Sequence, residues 1–361
     1  MIDYTRRMRI KGEPAMKNVI VFICLITLML GCMTACDIAP QEQPDPSTAP
    51  STDGTTAPID SEADSTAQDR PRYASVEDLR RDASVTRVQT VSYTGLDDID
   101  MTQLPHNYVT ALTGVRDRID TYEILYRVDG CTVAAFVSVP DDYTENPRPV
   151  LIYNRGGNGN FGASSALDIA MIAQLTNCVV IASQYRETNP GTGTDEFGGA
   201  DVHDVTFWVD RVKDLGFADR NKAYMVGVSR GGMQTCLALQ ADTEGVISKA
   251  VCVSGVYDLA ATFESREDMR QMLTRRVGGT PTTAPRAYTA RSAVDFAAEL
   301  RIPLLLIHSR GDKQVDYAQA TAFAGKLEQA GKDYDLITRE NASHGVETLD
   351  EWARIMEWLA Q

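Results

Sequence analysis

The sequence is poor in the residues that would place it among nucleic-acid-binding or zinc-binding proteins. Its 35 Lys and Arg are outnumbered by 50 Asp and Glu, and a formal net charge of −15 argues against nucleic acid as a partner, because phosphate contacts need clustered basic side chains. None of its seven cysteines stands in a Cys-x-x-Cys spacing, so the sequence predicts no zinc site. Only four histidines are present, which limits the candidates for a general base.

The N-terminal apolar run is too short to cross a membrane. It extends over roughly 12 residues, from Val19 to Leu30, whereas a transmembrane helix needs about 20. A basic start followed by a short apolar run is typical of a secretory signal. The run closes at Leu30-Gly31-Cys32, which resembles a bacterial lipoprotein signal in which Cys32 becomes lipid-modified, with Cys36 as the alternative. We therefore expect a leader over residues 1–36 and an exported protein anchored to the membrane at the cell envelope or surface.

Two further points near the N-terminus concern the start and the tether. Translation starts at Met1 or at Met16, because Met16 and the apolar run form a compact signal by themselves.

Residues 37 to 69 contain no Lys or Arg and are rich in Pro, Ser, Thr and Asp. Such a segment buries too little apolar surface to offset the conformational entropy of ordering, so residues 37–74 are predicted to be a disordered tether.

Residues 75–361 are predicted to form one catalytic domain of the α/β class. Two β-rich runs flank the hairpin signal Asp129-Gly130. After them, short apolar runs alternate with helical stretches, which indicates a mostly parallel, doubly wound sheet. The predicted strands are 121–127, 132–139, 149–153, 179–184, 223–228, 250–254, 304–308 and 334–338. The predicted helices are 165–175, 200–215, 231–239, 317–330 and 346–359. Residues 259–301 interrupt the alternation and are interpreted as a small helical insertion.

A nucleophile motif follows one of these strands. Gly227-Val228-Ser229-Arg230-Gly231 has the pattern Gly-x-Ser-x-Gly between a strand and a helix, as in the nucleophile elbow of the α/β-hydrolase fold. The turn presents the Ser229 hydroxyl at the edge of the sheet, and the following helix N-terminus favours a developing oxyanion. The alternative, a serine that merely caps a helix, leaves the partners described next unexplained.

The base and acid are predicted from the chain order of this fold, which is Ser, then acid, then His. His344 follows the last strand and precedes the final helix, whereas His106 and His203 precede Ser229 and His308 lies at the end of a strand. Asp312 lies in the turn after the preceding strand and is the predicted acid. Asp316, four residues on, is interpreted as a helix N-cap.

The oxyanion hole needs two hydrogen-bond donors. We predict the backbone N–H of Arg230 as one donor, and the glycine-rich loop beginning Arg155-Gly156 as the source of the other. The alternative for this loop is a simple flexible connection. The guanidinium groups of Arg155 and Arg230 could bind an acidic group of the substrate, or could form salt bridges with Glu196, Asp201 or Asp204.

These residues resemble the prolyl oligopeptidase-like serine peptidase family over roughly residues 120–361. The separations of 83 residues from Ser229 to Asp312 and 32 from Asp312 to His344 are similar to those of the family. Three further segments resemble it: Gln184-Tyr185-Arg186, Asp195 to Asp201 with Asp204, and Ala290-Arg291-Ser292 leading into Ile302-Pro303-Leu304. The resemblance implies the triad Ser229, Asp312 and His344. It also matches Arg155 and Gly156 to the oxyanion loop, although the family more often has His or Tyr at the Arg155 position.

The chain departs from that family before the catalytic domain. Fewer than 120 residues precede it, too few for a β-propeller, in which four blades already need about 160 residues. The resemblance implies cleavage of ester, peptide or amide bonds through an acyl-enzyme, without metal or cofactor. We expect a small-molecule ester or peptide as substrate, although the missing propeller means that exclusion of large substrates does not follow from the resemblance. The alternatives are a carboxylesterase acting on acylated carbohydrates or small esters, and a non-catalytic surface-binding lipoprotein.

The sequence leaves open whether the four cysteines of the domain form a disulfide. Each lies in an apolar context, as free core cysteines do, yet an exported domain could form a disulfide among them. They are Cys131, Cys178, Cys236 and Cys252.

Overall fold

The computed structural model describes residues 71–93, 96 and 99–361. The predicted leader 1–36, with Cys32 and Cys36, lies outside the described residues, as does the predicted tether 37–74 except for residues 71–74. No helix in the described part of the chain is both long enough and apolar enough to cross a membrane.

The central element is a nine-stranded sheet. Its strands are β1 (Val85–Thr90), β2 (Ile119–Val128), β3 (Cys131–Pro140), β4 (Pro149–Asn154), β5 (Val179–Ser183), β6 (Asp219–Val228), β7 (Lys249–Val253), β8 (Leu304–Ser309) and β9 (Tyr334–Arg339). They are arranged in the order β1-β2-β3-β5-β4-β6-β7-β8-β9. The pairs β1-β2, β2-β3 and β3-β5 are antiparallel and all the others are parallel. The predicted α/β-hydrolase fold is therefore confirmed.

The hairpin of β2 and β3 turns at Asp129-Gly130, where the sequence predicts it. β2 and β3 pair in a continuous register that closes at Val128 and Cys131. The two residues between them, Asp129 and Gly130, have φ values of 51° and 77°. Two consecutive positive φ values belong to the tight turn that matches the twist of the flanking strands.

Ten α-helices occur in the described residues, and most cover the sheet. They are α1 (His106–Arg118), α2 (Ala166–Thr176), α3 (His203–Val209), α4 (Arg230–Ala241), α5 (Leu259–Ser265), α6 (Arg270–Val277), α7 (Pro285–Thr289), α8 (Ala293–Phe296), α9 (Tyr317–Gln329) and α10 (Leu349–Ala360). Apolar side chains on the two faces of the sheet form two separate core clusters. β7 is buried along most of its length, as expected of a parallel strand covered on both faces.

The predicted helix 200–215 is not continuous. A 3-10 turn, Ala200–Val202, leads into α3, and a second 3-10 turn, Val212–Asp214, follows it. The first 3-10 turn runs directly into α3, and the buried carboxylate of Asp201 accepts hydrogen bonds from the backbone N–H groups of Gly198 and Gly199, which precede it. The α-helix itself ends at Val209, before the second 3-10 turn.

The folded domain includes residues before the predicted boundary at residue 75. Tyr73 is fully buried, and its backbone pairs with that of Leu215 in an isolated bridge. Its hydroxyl donates a hydrogen bond of 2.8 Å to Asp82. Tyr73 therefore belongs to the folded domain and not to a tether ending at residue 74.

Candidate active site

Ser229 lies on a strained turn between β6 and α4. It occupies the N-cap position of α4 with φ 58° and ψ −122°, a conformation that non-glycine residues rarely adopt. Its backbone N–H donates to Val253 O at the end of the neighbouring strand β7. The side chain remains partly accessible. Backbone strain held in place by the surrounding sheet is typical of a functional position.

The two glycines of the motif are required by steric contact. A Cβ on Gly227 would lie 2.2 Å from Gly231 O and 2.4 Å from Thr235 Oγ1. A Cβ on Gly231 would lie only 1.8 Å from Asn154 O, at the end of β4. No side chain fits at these distances, so the pattern Gly-x-Ser-x-Gly follows from the crossing of β4, β6 and α4.

Asp312 and His344 form a hydrogen-bonded pair. His344 Nδ1 donates to Asp312 Oδ2 at 2.8 Å, and the other carboxylate oxygen accepts from the N–H groups of Gln314 and Val315. Burial of Asp312 opposes its ionisation, but the hydrogen bonds from His344 and Val315 outweigh burial and lower its pKa to about 2. Asp312 is therefore an ionised acceptor at neutral pH, which makes Nδ1 the protonated nitrogen of a neutral His344.

The other histidines have different surroundings. His106 lies exposed at the start of α1, and His203 is an exposed residue paired with Asp129. His308 is fully buried, its Nε2 lies 2.9 Å from Val315 O, and burial lowers its pKa. Asp316 accepts a hydrogen bond from Ala318 N–H and caps α9, as the sequence indicated.

The loop that carries His344 is held by a polar network that the sequence does not reveal. Glu347 accepts hydrogen bonds from the Ser343 hydroxyl and from the His344 backbone N–H. Arg339, at the end of β9, donates to Gly345 O at 2.8 Å and to Glu351 at 2.9 Å. The only sequence signal for this network is the acidic start of α10, a common feature of helix N-termini.

The glycine-rich loop after β4 lies against the nucleophile. A Cβ built on Gly156 would be 3.1 Å from Ser229 Cβ and 3.6 Å from Ser229 Oγ. Among the hydrogen bonds of the described residues, none is donated by the backbone N–H of Gly156 or of Arg230. Two N–H groups of residues next to Ser229, one in the chain and one in space, are therefore available to a ligand, as an oxyanion hole requires.

The guanidinium of Arg155 is buried and fully engaged, so it cannot bind a substrate anion. Its side chain donates to Gln184 O, Gly159 O and Gly156 O. Burial lowers its pKa to about 10. The alternative prediction of a salt bridge is also wrong for Arg155, since its hydrogen bonds go to carbonyl oxygens and to the hydroxyl of Thr188.

The guanidinium of Arg230 is likewise buried, in an acidic cluster. It donates to both carboxylate oxygens of Asp195 and to Asp201 Oδ2, at 2.6 to 2.7 Å. The anion-site hypothesis is therefore wrong for this residue. The salt-bridge alternative holds for Asp201, whereas the sequence did not indicate Asp195 as a partner and Asp204 instead pairs with Arg186.

The four cysteines of the domain are free in the structure. Cys178, Cys236 and Cys252 are buried and Cys131 is half-buried. They fit the description of small core hydrophobes.

Comparison with known proteins identifies similar sequences and folds. Residues 182–361 match the prolyl oligopeptidase family. The chain is 29% identical over 223 residues to the uncharacterized peptidase YtmA of Bacillus subtilis (strain 168), covering 62% of this chain and 85% of that protein. It is also 29% identical over 130 residues to liver carboxylesterase 1F of Rattus norvegicus, covering 33% and 23% of the two chains. A solved puromycin-hydrolyzing peptidase of Mycobacterium tuberculosis covers 66% of this chain with 26% identity and a TM-score of 0.55.

These similarities confirm the predicted serine hydrolase. The chain spans only 38% of the length of the solved puromycin-hydrolyzing peptidase, so the similarity to that protein concerns one part of it.

Proposed function

We propose that the protein is a serine peptidase that acts through an acyl-enzyme on Ser229, and the match of residues 182–361 to the prolyl oligopeptidase family supports this proposal. The observation that carries the proposal is the combination of a strained, partly accessible serine with a carboxylate–histidine pair in the chain order of the fold. The loop of His344 lies beside the nucleophile strand, since a Cβ on Gly345 would be 3.6 Å from Val228 Cγ1.

The proposed roles follow from the hydrogen bonds. Because Asp312 holds Nδ1 of His344, Nε2 is the nitrogen that takes the proton from the Ser229 hydroxyl during attack on the substrate carbonyl. The same nitrogen then returns the proton to the leaving amine or alcohol. The N–H groups of Arg230 and Gly156 stabilise the tetrahedral oxyanion. Water then attacks the acyl-enzyme while His344 takes a proton from it, and His344 returns that proton to Ser229 as the acid product leaves.

Phe161 gives an indication of the substrate. It lies in the loop after Gly156 and Gly157, and its side chain is 76% exposed, which is unusual for a large apolar residue. Its backbone is fixed by mutual hydrogen bonds with Asn158. We propose that this ring contacts an apolar group of the substrate near the scissile bond.

A carboxylesterase activity is the second candidate function. It is supported by the similarity to liver carboxylesterase 1F over 130 residues. Both functions use the same acyl-enzyme and differ in the leaving group.

The experiment that tests the proposal compares matched substrates. An N-acylated aminoacyl p-nitroanilide and the p-nitrophenyl ester of the same amino acid are assayed with wild type and Ser229→Ala. A peptidase hydrolyses both, with loss of both activities in Ser229→Ala; an esterase hydrolyses the ester alone. Absence of both activities in the wild type over a panel of apolar and polar aminoacyl groups would contradict the proposal.

We also propose that the domain is anchored to a membrane through lipid on Cys32, with Cys36 as the alternative. The support is the basic start, the short apolar run and the cysteine that closes it. Metabolic labelling of expressing bacteria with an alkyne-palmitate tests this proposal. Labelling lost in Cys32→Ser but retained in Cys36→Ser is expected, and labelling retained in the double variant would exclude a lipoprotein anchor.

A further inference from the structure

The oxyanion loop has its carbonyl groups held by two buried arginines that lie on different elements. Arg155, inside the loop, donates to the carbonyl oxygens of Gly156, Gly159 and Phe161. Arg230, from the first turn of α4, donates to Gly157 O at 3.0 Å. Four carbonyls of one short loop thus accept hydrogen bonds from guanidinium groups, which fixes the backbone of the segment directly after Gly156.

Arg230 is itself fixed from the other side. Asp195 accepts from both of its terminal nitrogens and Asp201 accepts from one of them. Asp195 also accepts a hydrogen bond of 2.9 Å from the backbone N–H of Gly159, so the same carboxylate holds the loop directly. All three charged side chains are at most 2% exposed. Burial by itself would lower the pKa of Arg230, but the neighbouring carboxylates of Asp201 and Asp195 outweigh burial and raise this pKa above its ordinary value.

The burial of these three charged side chains is not explained by a gain in folding free energy alone. Buried ion pairs are often no more stabilising than apolar residues of similar volume, because desolvation offsets the Coulomb attraction. Here the pair joins three segments that meet at the nucleophile: the loop after β4, the acidic segment before α3, and the N-terminus of α4. Stability alone does not require a hydrogen bond from this guanidinium to the carbonyl of Gly157, the residue after Gly156.

We propose that the Arg230 side chain is a positioning residue for the oxyanion hole. Its backbone N–H is one donor to the oxyanion, and its guanidinium, locked by Asp195, holds the carbonyl of Gly157, the residue after Gly156, so that the Gly156 N–H keeps its place. One residue thereby couples the two halves of the hole. The inference rests on the proposed function, since an oxyanion forms only if Ser229 attacks an acyl group.

The test uses the full-length protein and the conservative variant Arg230→Lys. Lysine keeps the positive charge beside Asp195 and Asp201 and leaves the backbone donor in place, but it cannot bond both carboxylates and Gly157 O with a rigid fork. We expect kcat to fall by about 10- to 100-fold with KM changed by less than about threefold, because misplaced donors affect the transition state alone. Affinity for a trifluoromethyl ketone, which binds as an oxyanion adduct, should fall by the same factor as kcat.

Arg291→Lys is the matched control. Arg291 is largely buried beside the same acidic segment and pairs with Glu196, but its side chain donates to Glu196 O and Ala287 O, which lie outside the oxyanion loop. The substitution should cost similar stability while leaving kcat and the inhibitor affinity within about twofold of the wild type. Asp195→Asn is the second variant, used if Arg230→Lys does not fold, and should show the same split between kcat and KM.

Three results separate the possibilities. Wild type that hydrolyses no substrate defeats the proposed function itself. Active wild type with equal kcat losses in Arg230→Lys and Arg291→Lys, or with unchanged kcat in folded Arg230→Lys, overturns the positioning role. A loss confined to KM overturns it as well, because it would mark Arg230 as a determinant of ground-state binding.

Discussion

At the residue scale, the turn at Ser229 requires Gly227 and Gly231, because a side chain on either glycine would collide with neighbouring backbone atoms. The motif could be predicted from sequence because its spacing is imposed by contacts within one strand, one turn and one helix. The close approach of Gly231 to Asn154 O, in contrast, depends on a strand about 80 residues earlier. Sequence therefore identifies the motif, and only the structure identifies what each glycine avoids.

Replacing Gly231 by alanine tests this contact. The added Cβ would lie 1.8 Å from Asn154 O, so α4 or β4 must shift. We expect a loss of more than about 3 kcal/mol in unfolding free energy or no folded protein, and little activity in any folded fraction. Gly325→Ala in α9, where the Cβ meets nothing within 4 Å, should be neutral or stabilising by up to about 1 kcal/mol. A folded, fully active Gly231→Ala would contradict the contact.

The lowered pKa of Asp312 predicts how the unfolding free energy falls in acid. Its pKa is lowered from 3.8 to about 2 in the folded protein, so its stabilising contribution is present above pH 3.8 and is lost as pH falls toward 2. The shift corresponds to about 2 kcal/mol. Between pH 5 and pH 2, wild type should lose about 2 kcal/mol more unfolding free energy than Asp312→Asn, measured by urea denaturation. If the unfolding free energies of the two proteins fall by the same amount over this pH range, ionised Asp312 does not contribute the expected stability.

The same substitution should also affect catalysis. An asparagine in place of Asp312 can turn its amide group toward His344 Nδ1 and favour the wrong tautomer, so kcat should fall on the order of 10³- to 10⁴-fold at neutral pH. Asp316→Asn, which alters only the cap of α9, serves as the control and should keep kcat near the wild-type value. Steady-state kinetics of the two variants measure the difference.

The buried arginines show where residue-level prediction from sequence stops. Arg155 and Arg230 flank the motifs of the site, and their charge alone left two alternatives, binding of a substrate anion and salt bridges with nearby carboxylates. Their hydrogen bonds depend on which loops converge there, above all the segment of Asp195, and no local pattern encodes that convergence. The structure excludes substrate contact and shows that both guanidinium groups hold carbonyls of the loop.

At the element scale, the parallel strands and the covering helices follow from local patterns of apolar residues. β4 to β9 lie within a few residues of their predicted bounds. For β4 to β8 the reason is that a strand buried on both faces has a continuous apolar sequence, whereas β9 is only partly buried. β1 and α1 were not predicted. Only two of the six residues of β1 are buried, so its sequence carries little apolar signal.

The loop between β9 and α10 gives a prediction at this scale. Arg339 ties β9 to Gly345 and to Glu351 of α10, and so limits the motion of His344. Arg339→Ala should lower unfolding free energy by about 1 to 3 kcal/mol and reduce kcat roughly tenfold.

Arg310→Ala is the control at the same end of the sheet. Its ion pair with Glu340 is exposed and should contribute less than about 1 kcal/mol. Thermal denaturation and steady-state kinetics of the two variants measure the difference. Equal effects would show that the contacts of Arg339 have no special role in holding the His344 loop.

At the scale of the whole molecule, the boundary of the folded domain is at or before Tyr73. A chain that begins at Pro71 keeps the contacts of Tyr73 and is the reference for this comparison. A chain that begins at Ser75 lacks the buried ring of Tyr73 and should lose about 3 to 5 kcal/mol. Tyr73→Ala in the full-length protein should reproduce that loss, as measured by denaturant unfolding, and equal stability of all the chains would contradict the boundary.

The central claim is acyl transfer at Ser229, and active-site labelling tests it most directly. The full-length protein is incubated with a fluorophosphonate probe and digested, and the labelled peptide is identified by mass spectrometry. Stoichiometric labelling on Ser229 in the wild type is predicted, with none in Ser229→Ala and much slower labelling in His344→Ala. An unlabelled wild type, or equal labelling of wild type and Ser229→Ala, would contradict the account and favour a non-catalytic binding protein.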